Sequence, residues 1–261
     1  MGYARFIGIG AIVVATTTAS LHAQGNPEAA RLSREGVEAA KAKDWNKAVD
    51  SFRRAVQVEP QDKKNSDNLA IALLQRATAL VTQRDYDAAI NDLNEAIKIK
   101  PDEVSSHRFR AYAYLSKGDW NNALQDYNVV VRALKNDPEA YERRAYVELQ
   151  LKDYDKALAD YSEAIKLKPN EPKYYQLRAF ILQTKGDLKG TLADTNKVLQ
   201  LDPKNANAQQ LKRFLEAKLS GPPPPTPTPA GPIPNPNAPP SETGQSVPAN
   251  QVQPLPTAAR P

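Results

Sequence analysis

The sequence contains no cysteine among its 261 residues, and this absence excludes several kinds of site at once. The chain can form no disulfide, attach no lipid through a thiol and build no thiolate metal centre. Histidine is scarce too. Beyond the first 23 residues only His107 remains, and at the start of a predicted helix we expect it to be a surface residue. The sequence therefore predicts no metal and no cofactor.

Motifs of common enzyme classes are also missing. Gly186 and Gly190 flank a predicted hairpin turn but lack the Lys-Ser/Thr pair that a phosphate-binding loop needs. The strained G-x-S-x-G turn of a serine hydrolase is absent as well. We therefore expect a protein without enzymatic activity.

The first 23 residues have the composition of a secretory signal peptide. Arg5 precedes an uncharged run over residues 6–21, and Leu21-His22-Ala23 is an acceptable cleavage site. The competing interpretation is an uncleaved anchor, although the run is short for a membrane span and rich in Thr, Gly and Ala. The sequence predicts export to the periplasm or beyond, with no membrane span once the signal is removed.

Residues 220–261 differ in composition from everything before them. They hold 15 of the 22 prolines of the chain, and Glu242 and Arg260 are their only charged residues. A segment of this composition cannot form a core, so it predicts a disordered tail with polyproline II bias. The tail is either a spacer through an envelope layer or a ligand for a proline-reading domain.

Charges of both signs are interspersed along the rest of the chain. Without the two terminal segments, 33 cations stand against 29 anions, and the whole chain has a net charge of +5. No basic block of the kind that nucleic-acid binding requires is present, so no nucleic-acid partner is expected.

Between these ends, the pattern of residues 138–171 recurs with a period of 34. Apolar residues fall at helical spacing twice within the unit, separated by a tight turn at Lys152-Asp153-Tyr154. Pro138 suits a first helical position and Pro169 stops the second helix. A fixed period of this length predicts a stack of helical hairpins, each burying its apolar face against the next.

The small residues Ala145, Ala157 and Ala164, with Tyr161 and Pro169, resemble the pattern of the tetratricopeptide repeat family. The resemblance implies an all-α fold, a right-handed superhelical solenoid of about five helical hairpins. It assigns residues 24–219 to the solenoid, with repeats at 29–62, 70–103, 104–137, 138–171 and 172–205 and a capping helix at 206–219. The equivalent small and aromatic residues of the other four repeats are Gly36, Ala48, Ala55 and Phe52; Ala77, Ala89, Ala96 and Leu93; Ala111, Ala123, Val130 and Tyr127; Ala179, Thr191, Val198 and Thr195. The fifth repeat departs most, and we expect it to be the least stable.

Two interruptions of the pattern are predicted between hairpins. Seven extra residues lie between Pro60 and Ala70, and we interpret them as a longer loop and an extra helical turn with Ser66 as the N-cap. Three further residues are placed around Lys135-Asn136-Asp137.

Arginine and aspartate recur with the same period and form a predicted ion ladder. In an antiparallel hairpin each Asp is expected between the Arg of its own repeat and that of the next, with Lys212 continuing the series. The first repeat lacks both members, having Glu35 and Ser51 instead. We favour a structural role over a cationic strip for an acidic ligand. The reason is that losing one partner of a buried pair costs about 3 kcal/mol of stability. The ladder residues are Arg76, Asp92, Arg110, Asp126, Arg144, Asp160, Arg178 and Asp194.

The family resemblance places a protein-binding groove along the inner face of the first helices. An aromatic row stands out there, and its rings either anchor a partner or pack against the adjoining helix. The family's carboxylate-clamp pattern, which needs Lys and Asn, is not met, because Arg108 and Tyr112 occupy those positions. The predicted groove residues are Leu74, Thr78, Arg108, Tyr112, Leu115, Glu142, Tyr146, Leu149, Gln176 and Phe180.

The resemblance implies an exported, non-enzymatic scaffold that binds a peptide or helical segment of a cell-envelope protein. The alternative is a structural tether or assembly factor whose Pro-rich tail spans the cell wall. A third interpretation, an enzyme or sugar-binding subunit, lacks a supporting polar cluster. The oligomeric state stays open.

Overall fold

The computed structural model describes residues 26–221, and within that range every regular element is an α-helix. The predicted all-α solenoid is thereby confirmed. The predicted signal peptide and nearly all of the Pro-rich tail lie outside the described residues. The helices are α1 Pro27–Lys41, α2 Trp45–Val58, α3 Lys63–Thr82, α4 Tyr86–Ile99, α5 Val104–Ser116, α6 Trp120–Ala133, α7 Pro138–Gln150, α8 Tyr154–Leu167, α9 Pro172–Thr184, α10 Leu188–Leu201 and α11 Ala206–Ser220.

Each hairpin turns in the same way between its two helices. An aspartate caps the second helix, as Asp153 does by accepting a hydrogen bond from the backbone N–H of Lys156. One residue of the turn has a positive φ, which glycine adopts without strain at Gly118 and Gly186. Lys152 adopts the same conformation with a φ of 62°. The repeated cap and turn give five antiparallel hairpins over α1–α10.

The periodic small residues form the seam along which the helices pack. Ala145, Ala157 and Ala164 are fully buried, and the ring of Tyr161 lies among them. Without a larger side chain at the alanine positions the helix axes approach closely. Each helix packs on the next along the chain, and α3 also packs on α5. The core is therefore continuous from hairpin to hairpin.

The fifth hairpin replaces two of these apolar residues with buried threonines. The hydroxyl of Thr191 donates to the carbonyl of Asp187, and that of Thr195 donates to the carbonyl of Thr191. These bonds satisfy the hydroxyls but fill less of the seam than an aromatic ring. The expectation that this hairpin is the least stable stays a prediction.

Both predicted interruptions are wrong in detail. Helix α3 begins at Lys63 with Asp62 as its N-cap, so the seven extra residues lengthen the helix and Ser66 lies inside it. Asp62 and Ser66 are both good capping residues, and the earlier one is used because the whole insertion can then be helical. No insertion exists at Lys135–Asp137, since α6 and α7 are joined by four residues, as α8 and α9 are.

The last helix, α11, packs on α10. Ala145 and Ala179 occupy equivalent repeat positions at which a second helix packs. The equivalent position in α11 holds Arg213, which is exposed. A long charged side chain here prevents a further helix from packing and keeps the end of the stack hydrated. Over residues 26–221, no helix is both long and apolar enough to cross a membrane.

Candidate functional site

Four arginines pair with four aspartates inside their own hairpins. Arg144 donates from Nε and Nη2 to the two carboxylate oxygens of Asp160, at 2.7 and 2.8 Å. The same two-bond geometry joins Arg76 to Asp92, Arg110 to Asp126 and Arg178 to Asp194. The aspartates are buried and the hydrogen bond to Asp160 raises the pKa of Arg144. The arrangement holds the two helices of each hairpin together.

The arginines, not the aspartates, reach the neighbouring hairpin. Arg110 donates from Nη1 to Asn94 Oδ1 at 2.7 Å, and Arg144 donates likewise to Asn128 at 3.1 Å. Arg178 uses Ser162 Oγ at 3.0 Å in the same way. The prediction that each aspartate lies between two arginines is therefore wrong, because the next arginine uses Nε and Nη2 for its own aspartate and donates from Nη1 to an amide or hydroxyl oxygen instead.

Within the described residues, the Arg–Asp ladder extends neither into α11 nor into the first hairpin. Lys212 does not continue it, since its Nζ lies 3.7 Å from Glu216 within α11. At the other end, Glu35 pairs with Arg31 in α1 and Ser51 is buried without an arginine beside it. All eight predicted ladder residues are thus brought together in pairs between helices, and their structural role stays a prediction.

A second periodic set of contacts was not predicted. In the last three hairpins and in α11, the side chain at the fourth residue hydrogen-bonds to the backbone carbonyl six residues earlier, across the junction between hairpins. The Nε2 atom of His107 lies 2.9 Å from the carbonyl oxygen of Pro101. The other three pairs are Tyr141 with Lys135, Tyr175 with Pro169 and Gln209 with Pro203.

His107 is consequently not a surface residue, and that prediction was wrong. Its exposed fraction is 7%, and its Nδ1 lies 2.7 Å from Asp126 Oδ1. The histidine is held on one side by the ladder and on the other by the junction. Since every contact is structural, nothing marks it as a ligand or base.

The predicted groove residues lie on the first helices of hairpins two to five, and two of them have open rings. Tyr146 has an exposed fraction of 40% and Phe180 of 56%. Stepping on by 34 residues reaches Phe214 in α11, 49% exposed, which sequence reasoning missed. It was missed because α11 was treated as a cap, although the same 34-residue step would have found it. We name Tyr146, Phe180 and Phe214 the ring row.

The other apolar groove residues lie beneath this surface and are not exposed on it. Leu74, Leu115 and Leu149 are half-buried and pack against the core clusters of their hairpins. Thr78 is half-buried and donates its hydroxyl to the carbonyl of Leu74. Tyr112 is half-buried as well. The part of the groove that exposes rings is therefore its C-terminal half.

The two charged residues of the groove pair with side chains outside it. Glu142 accepts from Lys173 Nζ at 2.5 Å, and Arg108 Nη2 donates to Asp137 at 3.0 Å. Gln176 is exposed and uncharged. These pairs balance the charges beside the ring row, so the surface is mainly apolar with a neutral edge. Within residues 26–221, His, Asp and Glu side chains form no group of three suited to a metal ion.

Two family models match the sequence. Both are described as tetratricopeptide repeat, and they match residues 74–138 and 132–171. The matched region runs from the second half of α3 to the end of α8 and includes three of the four ladder pairs. A search of curated protein sequences finds no match.

Solved structures with the same architecture share little sequence identity with this chain. A tetratricopeptide repeat protein from Parabacteroides merdae superposes with a TM-score of 0.55 at 18% identity, covering 75% of each chain. MamA from AMB-1 gives a TM-score of 0.52 at 21% identity, covering 70% of this chain and 96% of that one. MamA 41-end from Desulfovibrio magneticus RS-1 gives 0.50 at 20% identity, covering 69% and 98%. At these identities the likeness concerns the fold.

Proposed function

We propose, from the premise that the chain is a tetratricopeptide repeat protein and thus a protein–protein interaction scaffold, that its ring row binds a segment of a partner protein. The partner segment is an extended peptide or a helix of low charge. Tetratricopeptide repeats are a non-enzymatic interaction fold, and we propose no catalytic activity for this chain.

One observation carries the proposal. Large aromatic side chains at three successive 34-residue steps are exposed, although rings at helical spacing usually belong to the core. A row of exposed rings on one face is typical of an interaction surface, and rings are common anchors at protein interfaces. The neighbouring pair Glu142–Lys173 is already neutralised, so the surface favours apolar contact over a charged ligand.

The location of the partner in the cell envelope rests on the sequence of residues 1–23. Their single cation, uncharged run and small-residue cleavage site support export of the chain. A protein that leaves the cytoplasm in this way meets periplasmic, membrane-bound or external partners. We therefore propose an envelope protein as the partner.

The second candidate function is a structural tether. It is supported by the 15 prolines of residues 220–261, whose composition is typical of an extended spacer. Truncation after Gly221, which leaves α11 intact, separates the two functions. Binding through the ring row survives this truncation, whereas tethering is lost.

A photo-crosslinking amino acid at position 180 tests the proposal directly. Placed there in the full chain, it is expected to form a crosslink to a discrete envelope protein in intact cells. The matched control is position 58, where Val58 is exposed on a second helix, away from the ring row. The expected crosslink disappears when Tyr146 and Phe214 are both replaced by Ala. A crosslink that forms equally from position 58, or that survives the double replacement, would remove the ring row as the binding surface.

A further inference from the structure

Glu148 is a buried carboxyl group without a hydrogen-bond partner of its own. Its exposed fraction is 4%, and its Oε2 has no partner among the described residues. Its Oε1 lies 4.0 Å from Arg144 Nε, but that arginine already makes two bonds to Asp160. The equivalent positions in three other hairpins hold Leu80, Tyr114 and Leu182. A buried carboxyl group at a position that is uncharged in these three hairpins is energetically unfavourable and requires an explanation.

The charged groups near Glu148 come from α7, from α8 and from the turn between these helices. Arg144 lies on the same helix, Asp160 and Lys156 come from α8, and Asp153 comes from the turn between them. The face of α6 that lines the adjoining cleft, of about 280 Å³, contributes the uncharged Leu124 and Asn128.

Two of these surroundings oppose ionisation of the carboxyl. Desolvation by burial and the negative charge of Asp160 raise the pKa of Glu148 to about 7, although Arg144 acts in the opposite direction. The carboxyl therefore changes its charge close to neutral pH, whereas an exposed glutamate is ionised well below it.

The position of Glu148 links this charge to the junction between the third and fourth hairpins. Arg144 crosses that junction through its bond to Asn128 on α6. Two residues before Glu148, Tyr146 crosses it as well, since its ring lies edge-on to Trp120 of α6 with the centroids 6.4 Å apart. An ionised Glu148 competes with Asp160 for the guanidinium that also holds Asn128.

We propose that ionisation of Glu148 loosens the α6–α7 junction and thereby alters the Trp120–Tyr146 contact at the edge of the ring row. The protonated carboxyl leaves Arg144 with Asp160 and Asn128. The ionised carboxyl draws on the same guanidinium and repels Asp160 in a poorly solvated site. The scaffold is thus tighter below neutral pH and more open above it. The consequence for partner binding rests on the function proposed above, but the conformational step does not.

Trp120 provides a readout that needs no ligand. The chain has two tryptophans, and Trp45→Phe leaves Trp120 as the only fluorescent one. In this full-length background, emission followed from pH 5 to 8.5 is expected to change in one step with a midpoint near 7. A second measurement is the rate of amide hydrogen exchange in α7, expressed as the ratio of the wild-type rate to the rate in Glu148→Gln at the same pH. This ratio is expected to be about one at pH 5 and to rise on the order of tenfold by pH 8.5, because one unit of pKa corresponds to a tenfold change in the equilibrium.

Matched variants decide between Glu148 and other titrating groups. Glu148→Gln removes the step, and so does Glu148→Leu, which copies Leu80 and Leu182 at the equivalent positions. Glu163→Gln, an exposed carboxyl on α8, keeps it. His107→Gln, which copies the junction donor Gln209, also keeps it. A flat wild-type profile, or a step that survives in both Glu148 variants, would overturn the proposal. If no crosslink forms from position 180 while the pH-dependent change in Trp120 emission is intact, the result would instead count against the ring row as a binding surface.

Discussion

Trp120 meets the ring of Tyr146 edge to face, with the ring planes at 73°. Trp120 is the first residue of α6 and Tyr146 lies on α7, so the contact joins two hairpins. An edge-to-face pair contributes about 1 kcal/mol beyond burial. The ring of Tyr146 is therefore fixed on one side by the preceding hairpin, while its other part stays exposed.

Removing an open ring should affect binding and leave stability unchanged. Phe180→Ser is expected to shift the melting temperature by less than about 2 °C, because surface changes usually stay within about 0.5 kcal/mol. Crosslinking from position 146 is expected to fall severalfold, since exposed aromatic anchors dominate interface energies. The control is Leu167→Ser, an exposed aliphatic residue outside the row, although at 39% it is less open than Phe180 at 56%. A large loss of melting temperature in Phe180→Ser would show that the ring belongs to the core.

Breaking the ladder should have the opposite effect. Arg144→Ala leaves Asp160 buried and also loses Asn128, so we expect a loss of about 3 kcal/mol in the free energy of unfolding. For a domain of this size that loss lowers the melting temperature by about 6–12 °C. Lys166→Ala, which removes an exposed pair with Glu163, should change almost nothing. An unchanged melting temperature with lost partner binding would favour the cationic-strip interpretation of the ladder.

The ties between hairpins can be tested with two tyrosines that differ in their hydroxyl groups. Tyr175→Phe removes the hydrogen bond to the Pro169 carbonyl and is expected to cost about 1 kcal/mol. The hydroxyl of Tyr161 is buried without a partner, so Tyr161→Phe is expected to cost nothing or to stabilise by up to about 1 kcal/mol. Urea denaturation of both variants measures the difference. Equal losses in the two would show that the tie contributes nothing beyond ring packing.

The periodic alanines made the fold predictable. A small residue at Ala145, Ala157 and Ala164 is required wherever two helices approach closely, so its period of 34 reports the packing directly. The same logic predicted that Arg144 and Asp160 face each other, because both recur at fixed offsets. Family membership and fold thus follow from residues that every repeat needs.

Contacts that tolerate several residue types could not be predicted in the same way. The arginine partner across a junction is Asn94, Asn128 or Ser162, and these polar types are common on any helix surface. The junction donors range from His107 to Gln209, so no single residue type recurs to mark them. Glu148 escaped notice for the opposite reason, since it occurs in one hairpin only and a periodic comparison treats it as variation.

Glu148 should also make global stability depend on pH. Its pKa is about 7 in the folded protein, whereas the ordinary pKa of a glutamate side chain is 4.5. Below pH 4.5 the group is protonated in both states and has no effect. Between 4.5 and 7 the unfolded chain loses the proton first, so stability falls as pH rises, and above 7 the loss is constant. Urea denaturation should therefore show Glu148→Gln more stable than wild type by about 2–3 kcal/mol at pH 8 and nearly equal to it at pH 4.5. The Glu163→Gln control should follow the wild type at both values, because Glu163 lies on the surface of α8. A Glu148→Gln variant that is less stable than wild type at pH 8 would mean that Arg144 pairs with the ionised carboxyl strongly enough to outweigh its burial.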